Sequence, residues 1–393
     1  MKKRIIGVLL LLLICCSYQI IEKNTFKENY LETKVEELMT NMSIEEKIGQ
    51  MLIIYDNHKI VDEELKKIIN DINPSGFIIN QSNITTFAKT KKYIADLKEN
   101  SKIPLIISID QEGGSVQRLQ KIEDKKATYI PSMFDLGKTN DTKLAYEVGK
   151  VMAEDMKTLG INVVFAPVCD IFSNSNNEVI GNRSFGTNAY LVSKMCVSLG
   201  KGLEDNGLIA TYKHFPGHGD TDVDSHTSLP IINKTYEEIL KNELVPFKAV
   251  IDNGAKIIMV GHISFPNITE DYIPASLSKT LITDLLKNEL GFNGLVITDA
   301  LNMGALKNIY TDEEIYVKSI EAGVDILLMP NDAKDAIQTI KNNIPIERIN
   351  ESVKKILLFK YKYLNDNILD ESYFNSLEHQ QVINKIKNQD LPD

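Results

Sequence analysis

Three of the six histidines fall in one stretch, residues 213–230, which reads KHFPGHGDTDVDSHTSLP. His214, His218 and His226 stand there beside Lys213, Asp220, Asp222 and Asp224. Imidazoles and carboxylates at that density suit proton transfer near neutral pH, metal binding, or recognition of a polar ligand. Pro216, Gly217 and Gly219 interrupt any regular helix or strand, so the run is a loop with a built shape. Asp224 and His226 are two apart, and on an extended segment such side chains point the same way. The carboxylate can then orient the imidazole and raise its basicity, as a general acid/base requires. A hydrogen bond that only stabilises the loop fits the same spacing. His214, His218, Asp220 and His226 also offer metal-ligating atoms, but the two histidines of H-x-x-x-H are separated by Pro216 and Gly217. They cannot share a helix face as zinc-binding pairs do, and no metal is expected.

Two further carboxylates end apolar runs. Asp299 closes LVIT and is followed by ALNM, which suits a nucleophile held on a strand tip or the N-cap of a following helix. Asp110 opens DQEGG. With Glu112 it reads as a second catalytic pair, or as an acceptor for ligand hydroxyls while Glu112 is held by its own loop. Arginine occurs only at positions 4, 118, 183 and 348. In a lysine-rich chain, Arg118 and Arg183 placed in loops point to planar, multi-donor ligand contact.

Eight short apolar runs position these groups: 51–55, 76–79, 105–109, 163–166, 208–212, 257–260, 295–298 and 326–329. Each is rich in Ile, Val or Leu, as parallel strands buried on both faces are. Helical patterns lie between them, for example over 142–159, 190–206, 236–253 and 279–290, and several stop at a glycine such as Gly160, Gly207, Gly254, Gly291 or Gly323. Strict alternation with eight strands predicts an α/β fold, a single (β/α)8 barrel over 35–365, rather than an open doubly wound sheet. The strand ends carry Asp56, Asn80, Asp110, Asp170, Lys213, His262 and Asp299, so the chemistry gathers at one mouth.

The chain of 393 residues, with 43% hydrophobic residues, is long enough to bury one large core. A net charge of −10 excludes a nucleic-acid phosphate backbone as partner. Lys2, Lys3 and Arg4 precede an apolar run too short to span a bilayer, and Cys15 and Cys16 follow. Residues 1–16 therefore read as a signal peptide or a lipoprotein signal with Cys16 as the lipidated residue, and the protein is expected outside the cytoplasm. Residues 17–34 read as a polar linker and 366–393 as a polar tail. Cys169 and Cys196 give no disulfide framework and are read as small core or loop residues.

The run KHFPGHGDTDVDSH resembles the signature of family 3 glycoside hydrolases, in their β-N-acetylglucosaminidase branch. IDQEGGSVQRL (109–119), FAPVCDI (165–171), GNRSFG (181–186), GHISFP (261–266) and VITDALNM (296–303) are similar to that family's motifs and keep its order. Ser115 stands where many relatives have arginine. The resemblance implies a retaining, cofactor-free mechanism with Asp299 as nucleophile. It implies that His226, with Asp224, protonates the leaving group and then activates water. Asp110, Arg183, Lys213 and His214 would bind the hydroxyls of a terminal GlcNAc, with Arg118 supporting, and His218 would be scaffolding. The expected partner is a carbohydrate, a terminal β-GlcNAc on peptidoglycan fragments, met by a monomer whose only membrane link is its N-terminus. A β-GlcNAc phosphorylase, a metal-dependent amidohydrolase in the same barrel and a non-catalytic wall-glycan-binding lipoprotein are the alternatives.

Overall fold

The computed structural model describes residues 28–364 and 367–387. The expected signal over 1–16, with Cys16, lies outside them. Strands β1 (Leu52–Ile54), β2 (Gly76–Ile79) and β3 (Ile106–Ile109) are followed by a small hairpin, β4 (Gln111–Gly113) and β5 (Val116–Gln117). Then come β6 (Val163–Val164), β7 (Ile209–Phe215), β8 (Ile257–Val260), β9 (Leu295–Thr298) and β10 (Leu327–Leu328). Without the hairpin, eight strands run in the order β10-β1-β2-β3-β6-β7-β8-β9, all parallel. A single parallel bridge, Ile297 to Ile326, links the two ends. There the Thr298 N–H donates to the Ile326 carbonyl at 3.1 Å. The expected (β/α)8 barrel is the fold found.

The eight predicted strands coincide with the eight observed, and nearly all their residues are buried, as expected where helices cover a sheet that closes on itself. Two-residue strands need help to hold their register. At β6, the Asn162 side chain accepts the Ile107 N–H and donates to the Leu105 carbonyl, both at 2.8 Å, which prolongs the β3–β6 pairing. The surrounding helices start at side-chain caps, among them Asp141, Asn188, Thr235 and Thr311. Gly160 and Gly323, two of the predicted stops, close their helices at φ 88° and 112°. The helix expected over 236–253 is two, Tyr236–Lys241 and Leu244–Asp252. Pro246 sits in the first turn of the second, where its missing N–H leaves no bond unmade.

Both ends of the chain need correction. Residues 28–34, read as linker, belong to a helix over 28–41. Residues 371–387, read as tail, hold a turn and the helix Leu377–Lys387, which packs on the helix Thr142–Thr158. Phe374, His379, Ile383 and Ile386 are buried in that contact. The physical reason lies in their spacing: 379, 383 and 386 form one helical face on an otherwise polar segment.

Candidate active site

A cavity of about 300 Å³ opens at the C-terminal ends of the barrel strands. Asp110, Arg118, Arg183, Lys213, His214, His226 and Asp299 all line it, and Asp224 reaches it through His226. Its apolar floor comes from Ile78, Phe165, Met259 and Leu328. A volume at the lower end for small-molecule sites, closed beneath by the barrel core, suits one end of a ligand rather than an internal stretch of chain.

Asp299 follows β9 directly. Its backbone N–H donates to the Val260 carbonyl at 2.9 Å, which fixes its Cα on the frame of the barrel. Its Oδ1 accepts the Ala300 N–H at 2.8 Å. The helix that comes next, Gly304–Lys307, is capped at Met303, so Asp299 is not its N-cap. Burial would push this carboxyl up, but the imidazoles of His214 and His262, the Lys213 ammonium and the Ala300 N–H outweigh it and hold it below the ordinary carboxylate value. An ionised carboxylate on a rigid strand tip can act as a nucleophile. His262, buried, donates through Nε2 to the Ala300 carbonyl at 3.0 Å and takes the Ser276 hydroxyl on Nδ1 at 2.7 Å, so it keeps Ala300 in place.

One wall is a chain of alternating charges. The Lys213 ammonium lies 2.9 Å from Asp110 Oδ1 and 2.6 Å from Glu112 Oε1. Glu112 also receives the Arg183 guanidinium as a fork, Nε to Oε2 and Nη2 to Oε1, both at 2.8 Å. Arg118 stands 3.9 Å from Asp110 Oδ2. Burial alone would push the Glu112 carboxyl up. The Arg183 and Lys213 cations override it and hold Glu112 well below the ordinary range. Burial likewise works against the Lys213 ammonium, yet Asp110 and Glu112 keep its pKa raised. Glu112 is therefore not held by its own loop, one of the two readings above, but ties the loop after β3 to the loop after β6 and to β7 itself. The short β4–β5 hairpin carries it there.

The histidine loop divides its work. β7 runs on to Phe215, with a register slip against β8 between Tyr212 and Phe215, so Lys213 and His214 lie on the strand itself. Asp170, completely buried, takes His214 Nδ1 at 2.6 Å and the His218 N–H at 2.7 Å. His218 binds the Thr221 hydroxyl through Nδ1 at 2.9 Å and the Ser225 hydroxyl through Nε2 at 3.1 Å. Burial, then the nearby His214, lower its pKa to about 4, so it is a neutral strut at working pH. His226 Nδ1 meets Asp224 Oδ1 at 2.8 Å, and the His226 N–H donates to the same oxygen at 2.9 Å. Burial would raise Asp224, but these two bonds hold it below its ordinary value. The His226 side chain is 66% exposed, and its Nε2 is turned away from Asp224 at the rim of the cavity.

Spacing alone assigned no role to Asp170 or His262, and for Glu112 it offered only a catalytic pair with Asp110 or a place held by its own loop. The signal for Asp170 was its place at a strand end, in register with the other mouth residues. Glu112 had only its adjacency to the glycine pair. The predicted core cysteines Cys169 and Cys196 are both buried.

Known proteins resemble the chain along most of the barrel. The model of the glycosyl hydrolase family 3 N terminal domain covers residues 43–359. Beta-hexosaminidase A of Pseudoalteromonas piscicida is 33% identical over 312 residues, 75% of this chain and 50% of that protein, so the chain spans about half of that relative's length. A family 3 beta-N-acetylglucosaminidase from Paenibacillus sp. str. FPU-7 superposes with a TM-score of 0.82 at 34% identity, over 88% of this chain and 68% of that one. NagZ from Neisseria gonorrhoeae, in complex with N-trifluoroacetyl-D-glucosamine, superposes at 0.72 with 29% identity, over 86% of this chain and 97% of that one. With its family model matched over most of the barrel, the chain belongs to glycoside hydrolase family 3.

Proposed function

We propose that the protein is a retaining β-N-acetylhexosaminidase that removes terminal β-linked GlcNAc through a covalent glycosyl-enzyme intermediate. The observation that carries this reading is one cavity holding an ionised Asp299 at its base and the Asp224–His226 pair at its rim. In the first step an Asp299 oxygen bonds to the anomeric carbon while the bond to the leaving oxygen breaks. The proton on His226 Nε2 passes to that oxygen, and Asp224 supports the imidazolium before transfer. In the second step the neutral imidazole takes a proton from water. The water oxygen attacks the anomeric carbon and Asp299 is released as a carboxylate. Asp110, Lys213, His214, Arg183 and Arg118 grip the hydroxyls of the sugar from the charged wall, which fixes the ring for attack. The related structure that carries a glucosamine derivative supports GlcNAc as the sugar recognised.

Peptidoglycan fragments fit as the natural substrate of such an enzyme when it is exported, and the basic and apolar N-terminal sequence supports export, with or without lipid on Cys16. A monomer suffices, since one chain supplies every group used. The test is turnover of an aryl β-GlcNAc beside the aryl β-glucoside, each with and without phosphate. Phosphate-independent release of GlcNAc with the β-configured product formed first is expected. A sugar phosphate formed only when phosphate is present would overturn the hydrolase reading. Preference for the glucoside would overturn the assignment to GlcNAc.

A further inference from the structure

The proton donor and the nucleophile come from different loops, after β7 and β9, yet the two loops are fastened to each other. The Gly304 N–H donates to the His226 carbonyl and the Ala305 N–H to the Ser225 carbonyl, both at 3.1 Å. The Asn308 side chain donates to the Thr227 carbonyl at 2.9 Å. Residues 224–228 are also folded on themselves, with the Thr227 and Ser228 N–H groups both bonded to the Asp224 carbonyl at 3.0 and 3.1 Å. They form one compact turn. Among the described residues the His226 ring is hydrogen-bonded only to Asp224 within that turn. Its place over the cavity therefore depends on where the turn is seated.

Gly304 determines the seat. A Cβ at this position would lie 2.6 Å from the His226 carbonyl oxygen and 2.8 Å from that of Thr227. Both are backbone atoms of the turn, so no side-chain rotation relieves the clash. The helix itself does not ask for glycine here, since Gly304 opens it with an ordinary backbone and alanine is the better helix former.

We propose that Gly304 is a positioning residue for proton transfer: the absence of its side chain lets the turn bearing Asp224 and His226 dock on the segment following Asp299. Nucleophile and proton donor are thereby held in one frame, with four residues of chain between Asp299 and the docking point. This inference rests on His226 being the acid/base.

The experiment compares kcat/KM, which reports glycosidic bond cleavage, for the full chain and for the Gly304→Ala, Asn308→Ala and His226→Ala variants. The substrates are 2,4-dinitrophenyl β-GlcNAc, whose leaving group departs without a proton, and N,N′-diacetylchitobiose, whose leaving group needs one. Gly304→Ala is expected to lose about tenfold or more on chitobiose and to stay within about threefold on the dinitrophenyl substrate. Asn308→Ala, an exposed change, is expected to show a smaller split in the same direction, and it carries the test alone should Gly304→Ala fail to fold. If His226→Ala shows no split, the acid/base reading falls and the proposal with it. If His226→Ala splits but the docking variants lose equally on both substrates, or lose nothing, the proposal alone is overturned.

Discussion

Asp299 is tied to the barrel through its backbone and to Ala300 through one carboxylate oxygen, while its neighbours keep it ionised. Alanine at this position keeps the backbone tie and removes the carboxylate, with its bond to the Ala300 N–H and the oxygen proposed to attack. Asp299→Ala should lower kcat by on the order of 10⁴ or more, with the melting temperature unchanged or slightly lowered, because the fold loses an ionised carboxylate that its neighbours favour. Near-normal turnover of an aryl β-GlcNAc by that variant would refute the nucleophile assignment. Glu112 predicts the opposite pattern. It is 1% exposed and faces two cations, so Glu112→Ala leaves Arg183 buried without its counter-charge and Lys213 with Asp110 alone. A loss of about 3 to 5 kcal/mol is expected in denaturant melts, together with a raised KM. Unchanged stability would show that water replaces the carboxylate.

At the scale of elements, the histidine loop seats against the segment after β6. A Cβ on Gly219 would lie 1.6 Å from the Ile171 carbonyl oxygen, so Gly219→Ala must lift the loop away from Asp170. His214 and His218 lose their common anchor, and a fall in kcat/KM of about 10² is expected at near-normal far-UV CD. The C-terminal helix is fastened by a different histidine. His379, buried, meets Glu154 at 2.8 Å and Asp155 at 3.2 Å. Burial works against its charge, but the hydrogen bonds that its ring donates to Asp155 and Glu154 raise its pKa from 6.5 to about 9. A folded-state value above the unfolded one stabilises fully below pH 6.5 and is lost as pH rises towards 9. On the order of 3 kcal/mol is involved. In urea melts across pH 6 to 10, the stability gap between wild type and His379→Gln should close above about pH 9. A gap that persists there would mean that packing, not charge, holds the helix.

For the whole molecule, how much could be read in advance followed from signal length. Eight apolar runs and their glycine stops announced the barrel, because a strand buried on both faces shows as continuous Ile, Val and Leu. The hairpin of β4 and β5 escaped, since strands of three and two residues carry no period. The C-terminal helix was legible only through three residues on one face. Among site residues, those with chemically unusual neighbours, such as Asp224 and His226, stood out. Asp170 and Glu112 act through partners 44 to 101 residues distant, which no local pattern encodes. The barrel also has a weak seam. One bridge joins β9 to β10, whereas β2 and β3 pair over four residues. The Thr298 and Ile326 amides should exchange with deuterium ahead of those in β2 and β3, and equal protection would show a fully laddered ring.

Arg118, Asp110, Lys213, Glu112 and Arg183 alternate in sign along the cavity wall. Three cations face two anions at close range, and Asp299 in the same cavity offsets the remaining positive charge, so the site projects little net field into solvent. Substrate capture then gains nothing from long-range attraction, and a neutral sugar is sorted by the placement of its hydroxyls alone. Ionic strength becomes almost irrelevant to recognition: kcat/KM for an uncharged aryl glycoside should hardly change between about 0.05 and about 0.5 M salt. A site built this way keeps its affinity for a neutral ligand as the surrounding counter-ion content varies.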